Sequence, residues 1–309
     1  MVIMSYLIGC AQGASSMAVA MSYKSPFSIP PSSMRKSSDM AKLRLSENSE
    51  SDQITSLNVL RYFDKQHSAR TFGWCRQNFL NFSSLNMISD LRKNVSRELE
   101  RQGFPPCFKQ GYHNRNGDTN PAFLQASICA GLYPNVAYRR QGDVNFSTTT
   151  NKKAKMHMGS VNAVKSQPMS MKCQVAEDAV ELVVFGELVK GKAMYTMENT
   201  THLVSPLPLL LLCGQLHVRP IEFAPPETTA KNKTHIIQKA MLSLDSWLVF
   251  LCEPETASAL VILRKRLDSA FSKITADPAN FTNLPSSEKD AVDTLSSVLN
   301  SSHTAAPKR

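Results

Sequence analysis

The segment Gly186-Glu187-Leu188-Val189-Lys190-Gly191-Lys192-Ala193 has the G-x-x-x-x-G-K spacing of a phosphate-cradling loop. Such a loop needs Ser or Thr next, to hold magnesium, and a helix whose N-terminal amides face the phosphates. Here Ala193 follows, and Met194, Tyr195 and Thr196 read as a strand. The segment therefore reads as a strand–turn–strand hairpin with Gly191 in the turn. No D-E-x-H or D-E-x-D box, no G-x-G-x-x-G and no Gly-x-Ser-x-Gly elbow occurs. The histidines (His67, His113, His157, His202, His217, His235, His303) are scattered, and nothing in their spacing supports a catalytic triad. Seven cysteines are widely spaced, with no C-x-x-C and no H-E-x-x-H. That pattern argues against a zinc site or a disulfide framework and for buried, reduced thiols.

Charge carries more information than motif. The chain has 309 residues with 35 Lys+Arg against 25 Asp+Glu, a formal net charge of +10. Seven of the basic residues (Arg139, Arg140, Lys152, Lys153, Lys155, Lys165, Lys172) fall between residues 136 and 172, where Asp143 is the only acid. Tyr133, Tyr138 and Phe146 are interleaved with them. Single-stranded nucleic acid requires this combination: cations track the phosphates and rings stack on bases. The plain alternative is a solvated sheet edge whose lysines discourage strand pairing.

The elements that must position these residues show in the hydrophobic pattern. The apolar fraction is 42%, enough for cores, and the length suits two or three domains. No apolar run approaches the roughly 20 residues of a spanning helix. Residues 1–21 include Leu7-Ile8-Gly9-Cys10, which is similar to a lipoprotein cleavage box, but no basic residue precedes Lys24. A signal needs a basic start, so this stretch reads as buried helix. Pro26, Pro30 and Pro31 end it. Ile54, Leu57, Leu60 and Phe63 suit a helix. Leu85, Ile88, Leu91, Val95 and Leu99 form the clearest helical stripe, with Ser83 or Ser84 as its expected cap and Gly103 its expected end. Its other face (Arg92, Lys93, Arg97, Glu98, Glu100, Arg101) reads as solvated. A linker spans residues 105–120, and a short helix is expected at 121–132.

From Val136 the texture changes. Short runs rich in Val, Thr, Phe and Tyr at 136–140, 155–157, 180–185, 193–197 and 202–204 predict five short strands, which suggest a small barrel. Beyond Pro225-Pro226 the pattern predicts one strand at 246–250. A helix follows from Ala257 to Ile274, and a last one opens with Ser287-x-x-Asp290.

Several segments together resemble the C-terminal region of the DEAH/RHA (DExH-box) RNA helicases, most closely the RNA helicase A-like group. They are Ala18-Val19-Ala20-Met21-Ser22-Tyr23-Lys24-Ser25-Pro26-Phe27, Ser51-Asp52-Gln53-Ile54-Thr55, Trp74-Cys75-Arg76-Gln77-Asn78-Phe79-Leu80, and Leu132-Tyr133-Pro134-Asn135-Val136-Ala137. His157-Met158-Gly159-Ser160-Val161-Asn162, Val184-Phe185-Gly186-Glu187 and Val204-Ser205-Pro206-Leu207 follow in order. The resemblance implies an α+β chain: a helical, ratchet-like domain (1–104), a linker (105–120), an OB-fold barrel (121–224) and a C-terminal helical extension (225–309). It implies single-stranded or structured RNA as a partner, contacted by Lys153, Lys155, His157, Ser160 and Asn162. Arg139 and Arg140 would contact phosphates, and Lys24 and Ser25 would lie on the ratchet side. A RecA-like helicase core or protein cofactors are further expected partners, and cytoplasm or nucleus the expected location.

The chain departs from the family pattern at Gln53, where His is usual, and at Met158-Gly159, where Pro-Ser or Lys-Ser stands. In the family the ATPase motifs lie upstream, in two RecA-like domains, and none is found in this sequence. ATP and magnesium are thus expected at that motor rather than at these residues, and this chain alone is expected neither to hydrolyse ATP nor to unwind RNA. Two other readings stay open: a motorless RNA-binding protein, and an interaction module for an acidic partner.

Overall fold

A computed structural model describes residues 1–66, 68–107, 116–140, 142–150, 153–164, 173–175, 178–191, 194–223 and 237–304. The helical unit contains α1 (Val2–Ile8), α2 (Ala11–Ser22), α3 (Arg35–Ser46), α4 (Asp52–Asp64), α5 (Ser68–Gln77) and α6 (Phe82–Arg101). The expected N-terminal helix is two helices, because Gly9 takes a left-handed φ of 88° and breaks the ladder. Both are buried, as an apolar stretch without charge requires. In α6 the cap is Asn81, whose side chain accepts the Ser84 amide, rather than either expected serine. Gly103 ends it at φ 90°, as expected. A core of Val19, Ala20, Leu45, Val59, Leu60, Cys75, Leu80, Leu85 and Ile88 joins α2 to α6.

Helix α7 (Pro121–Leu132) opens with Pro at its start, capped by Asn120, and leads into β1 (Val136–Arg140). Then come β2 (Ser147–Thr148), β3 (Ala154–Met156), the single turn α8 (Val161–Val164), β4 (Cys173–Val175), β5 (Asp178–Lys190) and β6 (Tyr195–Leu203). The strand order is β2-β1-β5-β6-β3, with β4 beside β5 and one parallel pair, β3 with β6. Phe146, beside β2, exchanges two backbone hydrogen bonds with Ala154 of β3, at 2.9 and 3.1 Å. The two ends of the path therefore meet, and the sheet curls into a small barrel.

The phosphate-loop lookalike is a hairpin. β5 and β6 pair from Leu182↔Leu203 to Lys190↔Tyr195, and the Gly191 amide donates to the Met194 carbonyl at 2.9 Å. Lys192 and Ala193 lie outside the described residues. The two runs expected at 193–197 and 202–204 are one continuous strand. β5 has apolar residues on both faces. Val183 and Phe185 fill the barrel with Ala137, Phe146, Ala154 and Met197. Leu182 and Val184 face a larger core with α1, α7 and the C-terminal elements. A strand buried on both sides reads as an unbroken apolar run, which explains residues 180–185.

Helix α9 (Leu207–Leu212) is followed by β7 (Leu216–Phe223), β8 (Ile237–Leu244) and β9 (Leu248–Cys252), then α10 (Pro254–Ala276) and α11 (Ser286–Thr304). The three strands form an antiparallel sheet, β7-β8-β9. Only β9 is foreshadowed by the sequence pattern. β7 is an exposed edge strand interrupted by Pro220, so it carries no alternating signal. The extension beyond residue 225 is thus sheet plus helix, and β7 pairs with it rather than with the barrel. Helix α11 begins at Ser286, and Ser287 bonds Glu288 instead of forming the expected box. The Arg264 guanidinium of α10 donates to the carbonyls of Leu210 (2.8 Å) and Gly214, closing the end of α9.

Cys10, Cys75, Cys107, Cys129 and Cys213 are buried free thiols. Burial pushes the thiols of Cys10, Cys75, Cys107 and Cys129 up, which keeps them protonated and poor as nucleophiles or ligands. Among the described residues no His/Cys/Asp/Glu cluster suits a metal, and no helix is long and apolar enough to cross a membrane.

The turn between α1 and α2 rests on Gly117. A Cβ there would stand 2.2 Å from the Gly9 carbonyl oxygen. Gly117→Ala is expected to destabilise the fold by about 1–3 kcal/mol, the usual cost of overpacking. A lowered urea midpoint checks this, and an unchanged midpoint contradicts the contact.

Candidate nucleic-acid interface

The basic residues of the barrel fall into two groups once folded. Lys153, Lys155 and His157 are two residues apart along β3 and its continuation, so their side chains share one face. All three are exposed, while Ala154 between them is buried in the barrel. The strand is held on both sides. The Tyr195 amide donates to the Lys153 carbonyl at 3.2 Å and the His157 amide to the Met197 carbonyl at 2.9 Å, opposite the Phe146–Ala154 pair. Its cations are therefore carried on a backbone that cannot slip. His157 Nδ1 accepts the Gly159 amide at 3.1 Å. An accepting Nδ1 carries no proton, so in the neutral ring Nε2 is the donor.

Arg139 is placed differently. Its Nε and Nη2 both bond Glu181 Oε2, at 2.8 and 2.5 Å, and its guanidinium lies 4.6 Å from the Phe146 ring centre. Glu181 Oε1 lies 3.2 Å from His202 Nδ1. The Arg139 charge is thus opposed by a buried carboxylate. Arg140, next in β1, is exposed. Lys152, Lys165 and Lys172 lie outside the described residues. On α6, Lys93 pairs with Asp90 and Arg101 with Glu98 on an exposed face, whereas Arg92, expected there too, is only 11% exposed and pairs with Asp64.

Ser160 and Asn162 turn inward. They are 3% and 6% exposed. The hydroxyls of Ser160 and Thr200 lie 2.8 Å apart, and Asn162 Nδ2 donates to Thr200 Oγ1 (2.9 Å) and to the Thr200 carbonyl (3.2 Å). Both side chains thus anchor the 157–162 loop to β6 rather than facing solvent. The start of α4 ties into the same loop and strand. Ser51 caps that helix by accepting the Ile54 amide at 3.1 Å. Asp52 Oδ1 accepts the Val161 amide, and Oδ2 accepts the Thr200 amide, both at 2.9 Å. Gln53 Nε2 donates to the Asn199 carbonyl at 2.6 Å, and its Oε1 accepts from Thr201 Oγ1 at 2.6 Å. Gln53 therefore fills its position as a buried linker to β6.

Lys24 and Ser25 are exposed just beyond α2. Their segment is fixed where the Pro26 carbonyl accepts the Asn81 amide (2.7 Å) and the Ser28 amide donates to the Phe79 carbonyl (2.8 Å). The sequence reading missed Lys42 of α3, which belongs to no motif. Its amine bonds the Gly159 carbonyl, lies 3.5 Å from Asp52 Oδ1 and sits 4.7 Å from the Phe27 ring centre. Lys42 thereby joins the Lys24-to-Phe27 segment to the His157 loop.

A small closed barrel with one parallel pair, flanked by helices and carrying a basic strand on its surface, is an oligonucleotide-binding type of architecture. The family model for the oligonucleotide/oligosaccharide-binding (OB)-fold matches residues 124–216. Over 70–90% of its length the chain is similar to DExH-box RNA helicases, consistent with their C-terminal region. It is 30% identical over 219 residues to the DExH-box ATP-dependent RNA helicase DExH1 of Arabidopsis thaliana, covering 70% of this chain and 21% of that protein. It is 26% identical over 286 residues to the mouse ATP-dependent DNA/RNA helicase DHX36, covering 90% of this chain and 26% of the relative. Mouse ATP-dependent RNA helicase DHX29 is 26% identical over 295 residues, with 90% and 19% covered. The chain spans about a fifth to a quarter of the length of these relatives.

Removing Asp52 would leave Lys42 unpaired and the Val161 and Thr200 amides without their acceptor. Asp52→Ala is expected to cost about 3 kcal/mol or more of stability. Urea denaturation checks it, and a loss below about 1 kcal/mol would mean that the carboxylate does not bridge the two units.

Proposed function

We propose that this chain is the RNA-gripping accessory part of a DExH-box RNA helicase. Single-stranded RNA lies along the β3 face of the barrel, with phosphates near Lys153, Lys155 and Arg140 and the His157 Nε2 donor beside them. Lys24 and Ser25 extend the track onto the helical unit. Ser160 and Asn162 act by holding the loop. ATP and Mg2+ belong to a RecA-like motor, and the residues here bind and break no bond. The observation that carries this reading is the exposure of Lys153, Lys155 and His157 on one face of a strand pinned at both edges. The similarity to RNA helicases supports RNA over other polyanions.

The test is titration of a labelled single-stranded RNA oligonucleotide at two salt concentrations. Affinity is expected to fall steeply with salt, by a slope of about 0.7 per phosphate contacted on a single strand. Lys153→Glu combined with Lys155→Glu is expected to weaken binding at least about tenfold and to flatten that slope. Absence of binding at low salt would overturn the RNA reading and leave an acidic protein partner as the alternative. Unchanged affinity in the double variant would remove the β3 face.

A further inference from the structure

We infer that Lys42 is a positioning residue for RNA: it sets the His157–Ser160 loop from the helical unit without itself touching the strand. The inference rests on the RNA reading proposed above.

An ammonium group has three donors and no acceptor. Lys42 directs its amine at the Gly159 carbonyl, at Asp52 Oδ1 (3.5 Å) and over the Phe27 ring (4.7 Å). The hydrogen bond to Gly159 and the ion pair with Asp52 hold the amine inward, at the junction of the helical unit and the loop. Its side chain is only 18% exposed. The peptide group whose carbonyl Lys42 holds, Gly159–Ser160, donates its Ser160 amide to the His157 carbonyl at 2.9 Å, so the grip reaches the His157 backbone. The preceding peptide donates the Gly159 amide to His157 Nδ1 at 3.1 Å. The next anchor, Val161, is held by the same Asp52 carboxylate that Lys42 pairs with. The loop is thus gripped at two successive points from α3 and α4. Met158, just before the gripped segment, is 68% exposed.

A positioning lysine and a phosphate-contact lysine differ in one measurable way. A phosphate contact adds to the dependence of affinity on salt, whereas a lysine that acts through the fold does not. The experiment titrates the full chain with a single-stranded RNA oligonucleotide over a range of salt, comparing wild type, Lys42→Met, Lys42→Arg and Lys153→Met. Lys42→Met is expected to lose about three- to tenfold in affinity with the wild-type salt slope. Lys153→Met should lose affinity and about 0.7 of slope. Lys42→Arg, which keeps donors for Gly159 and Asp52, should regain affinity to within about twofold of wild type.

Wild-type affinity in Lys42→Met would overturn the inference, as would a slope lowered as much as in Lys153→Met, which would make Lys42 a phosphate contact. Failure of Lys42→Arg to recover would overturn it too. Should Lys42→Met melt below the assay temperature, Lys42→Gln carries the same comparison, removing the charge while keeping an amide donor group. Lack of RNA binding by the wild-type chain would instead overturn the proposed function on which the inference stands.

Discussion

One carboxylate ties the two halves of the candidate interface together. Asp52 stands in the first turn of α4, where the helix dipole favours an anion, and is 6% exposed. A buried charge is tolerable only when its lone pairs are used. Here they are: the Val161 amide, the Thr200 amide, the Thr200 hydroxyl at 3.3 Å and the Lys42 amine surround it. Because those donors come from the 157–162 loop, β6 and α3, satisfying one side chain fixes helical unit, barrel and loop in one arrangement. Thr200 shows the same economy. Its hydroxyl donates to Asp52 and accepts from Ser160 and Asn162, which exhausts what a hydroxyl can do.

The barrel is rigid for a second reason. β5 alternates its side chains between two cores, with Val183 and Phe185 inside the barrel and Leu182 and Val184 among the helices. Burying each of these residues contributes on the order of 1.5–3 kcal/mol, and one strand collects it on both faces. The basic face of β3 is joined to this strand through β6. The backbone that carries those cations is therefore already ordered.

Charge counted along the sequence overstates the cationic surface that the fold leaves open. Arg139 belongs to the basic cluster in composition, yet Glu181 lies directly across the β1–β5 ladder and accepts from its Nε and Nη2. Glu181 sits more than forty positions downstream, outside the window in which the cluster was counted. Arg140, one residue on, points to the opposite face and remains exposed. Two adjacent arginines thus have different roles because a strand alternates its sides.

Elements whose signals are local were legible: α4 and α6 from their apolar stripes, α7 as a short helix leading into Tyr133-Pro134, the end of α6 from Gly103, and the β5–β6 hairpin from Gly191 with a strand on each side. Lys153, Lys155 and His157 were named through the family resemblance, and the structure sets them on one face of a strand. The β7–β8–β9 sheet was not legible, because its edge strand is exposed and interrupted by Pro220. Nor was the inward turn of Ser160 and Asn162, the capture of Arg139, or the grip of Lys42 on Gly159. Periodicity, caps and turns are set by neighbours a few positions away. The contacts of Lys42 and Asp52 span 117 and 148 positions, and no local pattern encodes which buried donor meets which acceptor until the chain has packed.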